Sequence, residues 1–227
     1  MNKTDLPDYL EKLLKKIWEE SKPISVFLYG SIARDDFEND SDYEVGVIYQ
    51  KEKKWSRQQL NNLHNFGNVK IYPFIEQDLA ENKIDTPFPK AFFLLTLLQT
   101  SNLIYGKEIK EIIKNVEVNK NDIYEAIGFC LGRAYMAVVS SRQSDWIAVR
   151  DGFTKSALYG LQILIYVKTG KLVFSYKEMK EQSDNFIDND YQELIDHVIE
   201  VRKGNSAVDS QLLYKNISFL NSVLSVL

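Results

Sequence analysis

Strand-forming sequence is confined to the first half of this chain, and that segregation limits the fold more than any other feature. Ile24 to Tyr29, Tyr43 to Tyr49 and Val69 to Ile75 are short runs rich in Val, Ile, Phe and Tyr, bounded by Gly, Asn and Asp, and they read as three strands. Before them, Leu10, Leu13, Leu14, Ile17 and Trp18 recur at intervals of three and four, which predicts an amphipathic helix ending near Ser21-Lys22-Pro23. A polar helix over Ser56 to His64 separates the second and third strands. After "DTPFPK" the strand signal nearly vanishes. An apolar helix, a short extended piece and another helix follow in "AFFLLTLLQTSNLIYGKEIKEII". Helical segments then cover Ile123 to Ser140, Val149 to Thr169, Asp190 to Val201 and Leu212 to Leu227. The expected architecture is α+β in two domains, residues 1–115 with the strands and residues 116–227 as an all-α bundle.

Composition sets the compartment and the partners. Of 227 residues, 44% are hydrophobic and 26% charged, as in an ordinary soluble globular protein. Cys130 is the single cysteine, so no internal disulfide framework exists, and with only His64 and His197 beside it a zinc site is not expected. The N-terminus lacks the apolar core of a signal peptide and no run reaches the roughly 20 apolar residues of a membrane span. The expectation is a cytoplasmic protein with no membrane partner. A net charge of -4 argues against a nucleic-acid duplex, whose phosphates call for a basic surface, and favours a polycationic ligand.

The chemistry lies in "SVFLYGSIARDDFENDSDYEVGVIY", residues 25–49. A strand ending in Gly30-Ser31 and turning into a helix offers backbone N–H groups and a hydroxyl to an anion such as phosphate; a plain turn reads the same way. Asp42 and Glu44 are two apart, so on a strand both carboxylates point to one side while Val45 and Val47 point to the other. Like charges so placed repel unless a cation lies between them. Magnesium, which takes one or two carboxylates plus substrate phosphates, answers that need. A solvated strand edge is the other reading.

Taken together, "YGSIARDDFENDSDYEV" resembles the signature of the DNA polymerase β-like nucleotidyltransferase superfamily, a Gly-Ser helix start followed by an Asp-x-Asp or Asp-x-Glu metal pair. The order of later segments is similar to that of the antibiotic nucleotidyltransferases of the kanamycin nucleotidyltransferase type. The resemblance implies a small mixed sheet with helices on one face, a helical domain, and a cleft between the two halves. It implies that Gly30, Ser31 and Ser41 contact the phosphates of a nucleoside triphosphate, with Arg34 beside them, and that Asp42 and Glu44 hold Mg2+ and carry catalysis. The implied reaction is attack of a hydroxyl of a small acceptor, an aminoglycoside-like molecule for example, on the α-phosphorus, with pyrophosphate leaving.

The chain departs from that pattern at two places. Many members carry a third carboxylate on the strand matching "VKIYP", where this chain has Lys70. The antibiotic enzymes draw a general base from the first long helix of the second half, where the alignment gives Ala134, beside Arg133 and Tyr135. Glu125, Asp145 and Asp151 are substitutes for the base, or ordinary solvated acids. Two further readings therefore accompany the enzyme: a catalytically lapsed nucleotide-binding homologue, and an antitoxin-like partner in a HEPN system, since the second half also resembles HEPN-type bundles. "KKWSRQQ" reads as a solvated basic face, and "RQSDWIAVRDGF" as a substrate rim or as capping and i,i+4 pairing. The C-terminal "LLYKNISFLNSVLSVL" is expected to pack on the bundle or across a homodimer.

Overall fold

A computed structural model of the chain describes residues 6–33 and 42–226. Two compact units divide it, Met1–Glu117 and Val118–Leu227. In the first, α1 (Asp8–Ser21) leads into β1 (Ser25–Tyr29), which ends in a 3-10 turn over Gly30–Ala33. Then come β2 (Tyr43–Tyr49), α2 (Arg57–Asn61), β3 (Val69–Ile75), α3 (Glu76–Ala80), α4 (Lys90–Thr100), β4 (Asn102–Gly106) and α5 (Ile109–Ile112). The second unit holds α6 (Lys120–Arg142), α7 (Trp146–Thr169), α8 (Tyr176–Ser183), α9 (Asn189–Arg202) and α10 (Ser210–Ser225).

The four strands form one mixed sheet in the order β3-β2-β1-β4. The β1 strand runs antiparallel to β2 and to β4, and β3 runs parallel to β2. This is the expected α+β class, and all three predicted strands are present. Pro73 sits on β3, an edge strand, where its missing N–H leaves no central ladder broken.

The helices lie on both faces of the sheet, where one face was expected. Val26, Leu28, Val45, Val47, Tyr49, Val69 and Ile71 pack with Leu10, Leu13, Leu14 and Ile17 of α1 and Leu60 of α2. Phe27, Tyr29 and Ile48 pack with Leu79 of α3, Leu94 and Leu97 of α4, and Ile109 and Ile112 of α5. The reason is legible in β2, "YEVGVIY", which is apolar on nearly every residue and is buried along almost its whole length; a strand of that kind needs cover on both sides. Each fully buried Leu or Ile contributes about 1.5–3 kcal/mol of transfer free energy.

Two local devices close this unit. Helix α1 stops where Lys22 turns left-handed (φ 46) ahead of Pro23, as its sequence predicts. The Tyr49 hydroxyl, fully buried at the end of β2, donates to Ser21 Oγ at 2.7 Å, and Ser21 in turn donates to the Ile17 carbonyl at 2.8 Å. The last turn of α1 is thereby tied to the far end of β2.

In the second unit α6 packs along α7 and α10, and α7 packs against α8 and α9. Asn119, Asp145, Ser175, Asp188 and Asp209 each cap the helix that follows, their side chains accepting backbone N–H groups of the first turn. Helix α6 is the one element among the described residues long and apolar enough to cross a membrane by length and composition, a possibility the sequence reading had set aside. It buries Ala126, Ile127, Cys130, Ala134 and Ala137, as a bundle helix does. Burial raises the Cys130 thiol to about 12, so it is inert as a nucleophile.

Candidate active site

The site is built on the ends of β1 and β2. Tyr29 is the Cα partner of Glu44 across the antiparallel pair, and Lys70 is the partner of Glu44 across the parallel one. Alternation along β2 sends Val45 and Val47 into the α1 core and puts Glu44 on the opposite face, half-buried. Asp42 is exposed immediately before the strand. Both carboxylates act electrostatically on the Tyr72 phenol, Glu44 more than Asp42, and both raise it.

Gly30 takes φ +76, a conformation that L side chains rarely adopt, and a Cβ at this position would fall inside the Glu44 carboxylate. The glycine of the Gly-Ser turn is therefore what lets the Glu44 carboxylate seat against the backbone. Gly46, the next residue on the Glu44 face, lies under the Phe27 ring and has no room for a methyl group. Ser31 is half-buried within the 3-10 turn. Arg34 and Ser41 lie outside the described residues.

Lys70 lies at the register where a third carboxylate was sought, and its Nζ donates to the Gly67 carbonyl at 3.2 Å. Among the described residues it makes no ion pair with Asp42, and no group of three His, Cys, Asp or Glu side chains able to hold a metal occurs. Asp42 and Glu44 offer oxygen donors, the kind that a hard divalent cation takes together with water and phosphate.

Two aromatic hydroxyls and one cation complete this face. Tyr29 is buried, and burial first, then the Glu44 and Tyr72 charges, raise its phenol well above its ordinary value, against a lowering influence from Arg57. Tyr72 is raised chiefly by burial, with Arg57 lowering it and Glu44 and Asp42 raising it. The Arg57 guanidinium stands 4.5 Å from the centre of the Tyr72 ring. Lys53, Lys54 and Arg57 of "KKWSRQQ" are all exposed, as a solvated basic face expects, and Arg57 in addition stands over Tyr72 where β3 passes beside α2. The Arg-x4-6-His motif of HEPN ribonucleases, expected to be absent, is met in spacing by Arg57 and His64, but these lie in the strand-rich unit, where His64 Nδ1 accepts the Phe66 N–H at 3.1 Å.

The base substitutes of the second unit have structural partners or none. Asp151 pairs with Arg133 at 3.2 Å and Lys155 at 2.5 Å, Asp145 caps α7 through the Ala148 N–H, and Glu125 is exposed on α6. Ala134 is buried within the bundle. Arg150 reaches the last carbonyls of α9, donating from Nε to Val201 O at 3.1 Å. "RQSDWIAVRDGF" therefore does capping and pairing work.

The family described as polymerase beta, nucleotidyltransferase, matches residues 11–110. No curated protein matches the chain in sequence. Among solved structures, the spectinomycin adenyltransferase AAD(9) from Enterococcus faecialis, with ATP and spectinomycin, superposes with a TM-score of 0.63 at 13% identity, covering 96% of this chain and 98% of that one. A nucleotidyltransferase-like protein from Exiguobacterium sibiricum superposes at 0.35 and 11% identity, over 96% of this chain and 75% of its own, too loosely to bear on the fold. The sequence match assigns residues 11–110, the strand-rich part of the chain, to the polymerase beta nucleotidyltransferase family, and the likeness to the adenyltransferase shows a shared fold.

Proposed function

We propose that the chain is a magnesium-dependent nucleotidyltransferase that moves a nucleoside monophosphate from a nucleoside triphosphate to a hydroxyl of a small polycationic acceptor of the aminoglycoside class. The observation that carries this is Glu44, seated against Gly30 at the head of β2 with Asp42 beside it, inside a polymerase β-type domain. Asp42 and Glu44 would hold the metal, which when bound supplies charge neutralisation at the reacting phosphates. Gly30, Ser31, Arg34 and Ser41 would hold the triphosphate. The acceptor oxygen bonds to the α-phosphorus as the bond to the bridging oxygen breaks, and pyrophosphate leaves. Placement and fixed charge do most of the work in such a displacement. The spectinomycin and ATP of the similar adenyltransferase structure support a small-molecule acceptor and a nucleotide donor, and the net charge of -4 supports a cationic one.

A second reading, a lapsed homologue that binds nucleotide without turnover, or an antitoxin-like relative, is favoured by Lys70 in place of the third carboxylate and by the buried Ala134. One experiment separates the two. ATP, GTP, CTP and UTP are titrated into wild type and Asp42→Ala/Glu44→Ala by calorimetry, with and without magnesium, while pyrophosphate release is followed against a panel of aminoglycosides and spectinomycin. The enzyme requires metal-dependent binding lost in the double variant and release that depends on an acceptor. Binding without release with any acceptor selects the lapsed site, and no nucleotide binding sinks both.

A further inference from the structure

We propose that Arg57 is a phosphate-positioning residue of this site, its guanidinium held over the Tyr72 ring so that its N–H groups meet the triphosphate beside Asp42 and Glu44. The inference rests on the nucleotidyltransferase reading and adds to it a residue that neither the Gly-Ser signature nor the carboxylate pair includes.

Three observations converge on Arg57. It is placed from the α2 side by a complete capping box: Ser56 Oγ accepts the Gln59 N–H at 3.2 Å and the Gln59 side chain accepts the Ser56 N–H at 2.8 Å. That fixes the backbone one residue before Arg57 and the turn that follows it. From the sheet side, Tyr72 is two residues beyond Lys70 on β3 and is registered with Gly46, so its ring lies on the same face as Glu44. Its ring centre is 6.1 Å from that of Tyr29, the Cα partner of Glu44. The guanidinium carbon stands over this ring, 4.5 Å from its centre, at cation–π distance.

The third observation is what Arg57 lacks. Among the described residues it forms no ion pair with a carboxylate, although its charge and that of Glu44 act on both Tyr29 and Tyr72, and that of Asp42 on Tyr72. The guanidinium also acts as a side-chain hydrogen-bond donor to the Tyr72 hydroxyl; its remaining N–H groups are the kind that phosphate oxygens match. A chain with two carboxylates in place of three offers fewer oxygen ligands to the metal ions that offset the triphosphate. A fixed cation at the β3 side of the pair makes up that difference, whereas Lys70 at the corresponding register is turned to the Gly67 carbonyl.

The test uses the full chain with two probes in magnesium buffer, ATP and inorganic tripolyphosphate, titrated into wild type, Arg57→Gln and Arg57→Lys, with thermal melts alongside. Arg57→Gln is expected to weaken both ligands about 10- to 100-fold, the weight of one charge-assisted hydrogen-bonded contact, without lowering the melting temperature of the free protein. Arg57→Lys keeps the charge but loses the guanidinium, so it is expected to weaken both by a smaller factor, and it carries the test if the glutamine variant does not fold. Unchanged ATP affinity in Arg57→Gln overturns the proposal. So does a loss for ATP with tripolyphosphate unaffected, because the guanidinium would then act on the nucleoside. Wild-type protein that binds neither probe sinks the nucleotidyltransferase reading itself, an outcome visible before any variant is made.

Discussion

At the scale of single residues, the site depends on groups that leave space as much as on groups that bind. Gly30→Ala forces a side chain into a left-handed backbone and drives its Cβ into the Glu44 carboxylate. We expect it to destabilise the protein by about 1–3 kcal/mol and to weaken magnesium-dependent nucleotide binding, read by urea denaturation and calorimetry; wild-type values for both would refute the geometry. Tyr49 supplies a pH signature. Burial raises its phenol to about 12, with the hydrogen bond to Ser21 opposing in part. A phenol of raised pKa stabilises the fold fully below the unfolded value near 10, and that contribution is lost as pH rises through 12. Stability should therefore fall between about pH 10 and 12, and Tyr49→Phe should flatten part of the fall in melting temperature over that window. Identical pH profiles for the two proteins would count against it.

At the scale of elements, short helices owe their existence to caps and packing. Helix α2 spans only Arg57–Asn61 and buries a single side chain, Leu60, and a helix that short does not persist on propensity. Ser56→Ala removes half of its capping box, and we expect a loss of about 0.5–2 kcal/mol. Because α2 carries Arg57, the same variant should also blunt ATP affinity more than its stability loss explains; a denaturation series paired with ATP titration separates the two. The elements show where periodicity is a sufficient guide. The apolar stripe of α1 and the strands β2 and β3 are clear in the sequence because burial on a fixed period leaves a repeated mark. Helices α3 and α8 leave almost none: α3 buries only Leu79, and α8 only Met179 and Ser183. Their positions follow from what they pack on.

At the scale of the whole molecule, charge is the property that speaks to the acceptor. With a net charge of -4, affinity for a polycationic aminoglycoside should drop as salt is raised from about 50 to 500 mM, over which the screening length shrinks severalfold. Affinity for an uncharged polyol of similar size should not. Equal salt dependence for the two ligands, measured by calorimetry, would remove charge from the account of acceptor choice.

The sequence by itself determined the α+β class, the order of the strands along the chain, the end of α1 at Lys22-Pro23, and the placing of Glu44 on the face of β2 opposite Val45 and Val47. Each of these is local, set by a period of two, a period of 3.6 or a stop signal within a few residues. Tertiary structure decided the rest. That the sheet is covered on both faces, that Gly30 admits the Glu44 carboxylate, and that the exposed Arg57 stands over Tyr72 all depend on residues far apart in sequence. The parallel register of β2 and β3 brings Tyr72 to the Glu44 face, and no local pattern records which strands pair or in which direction.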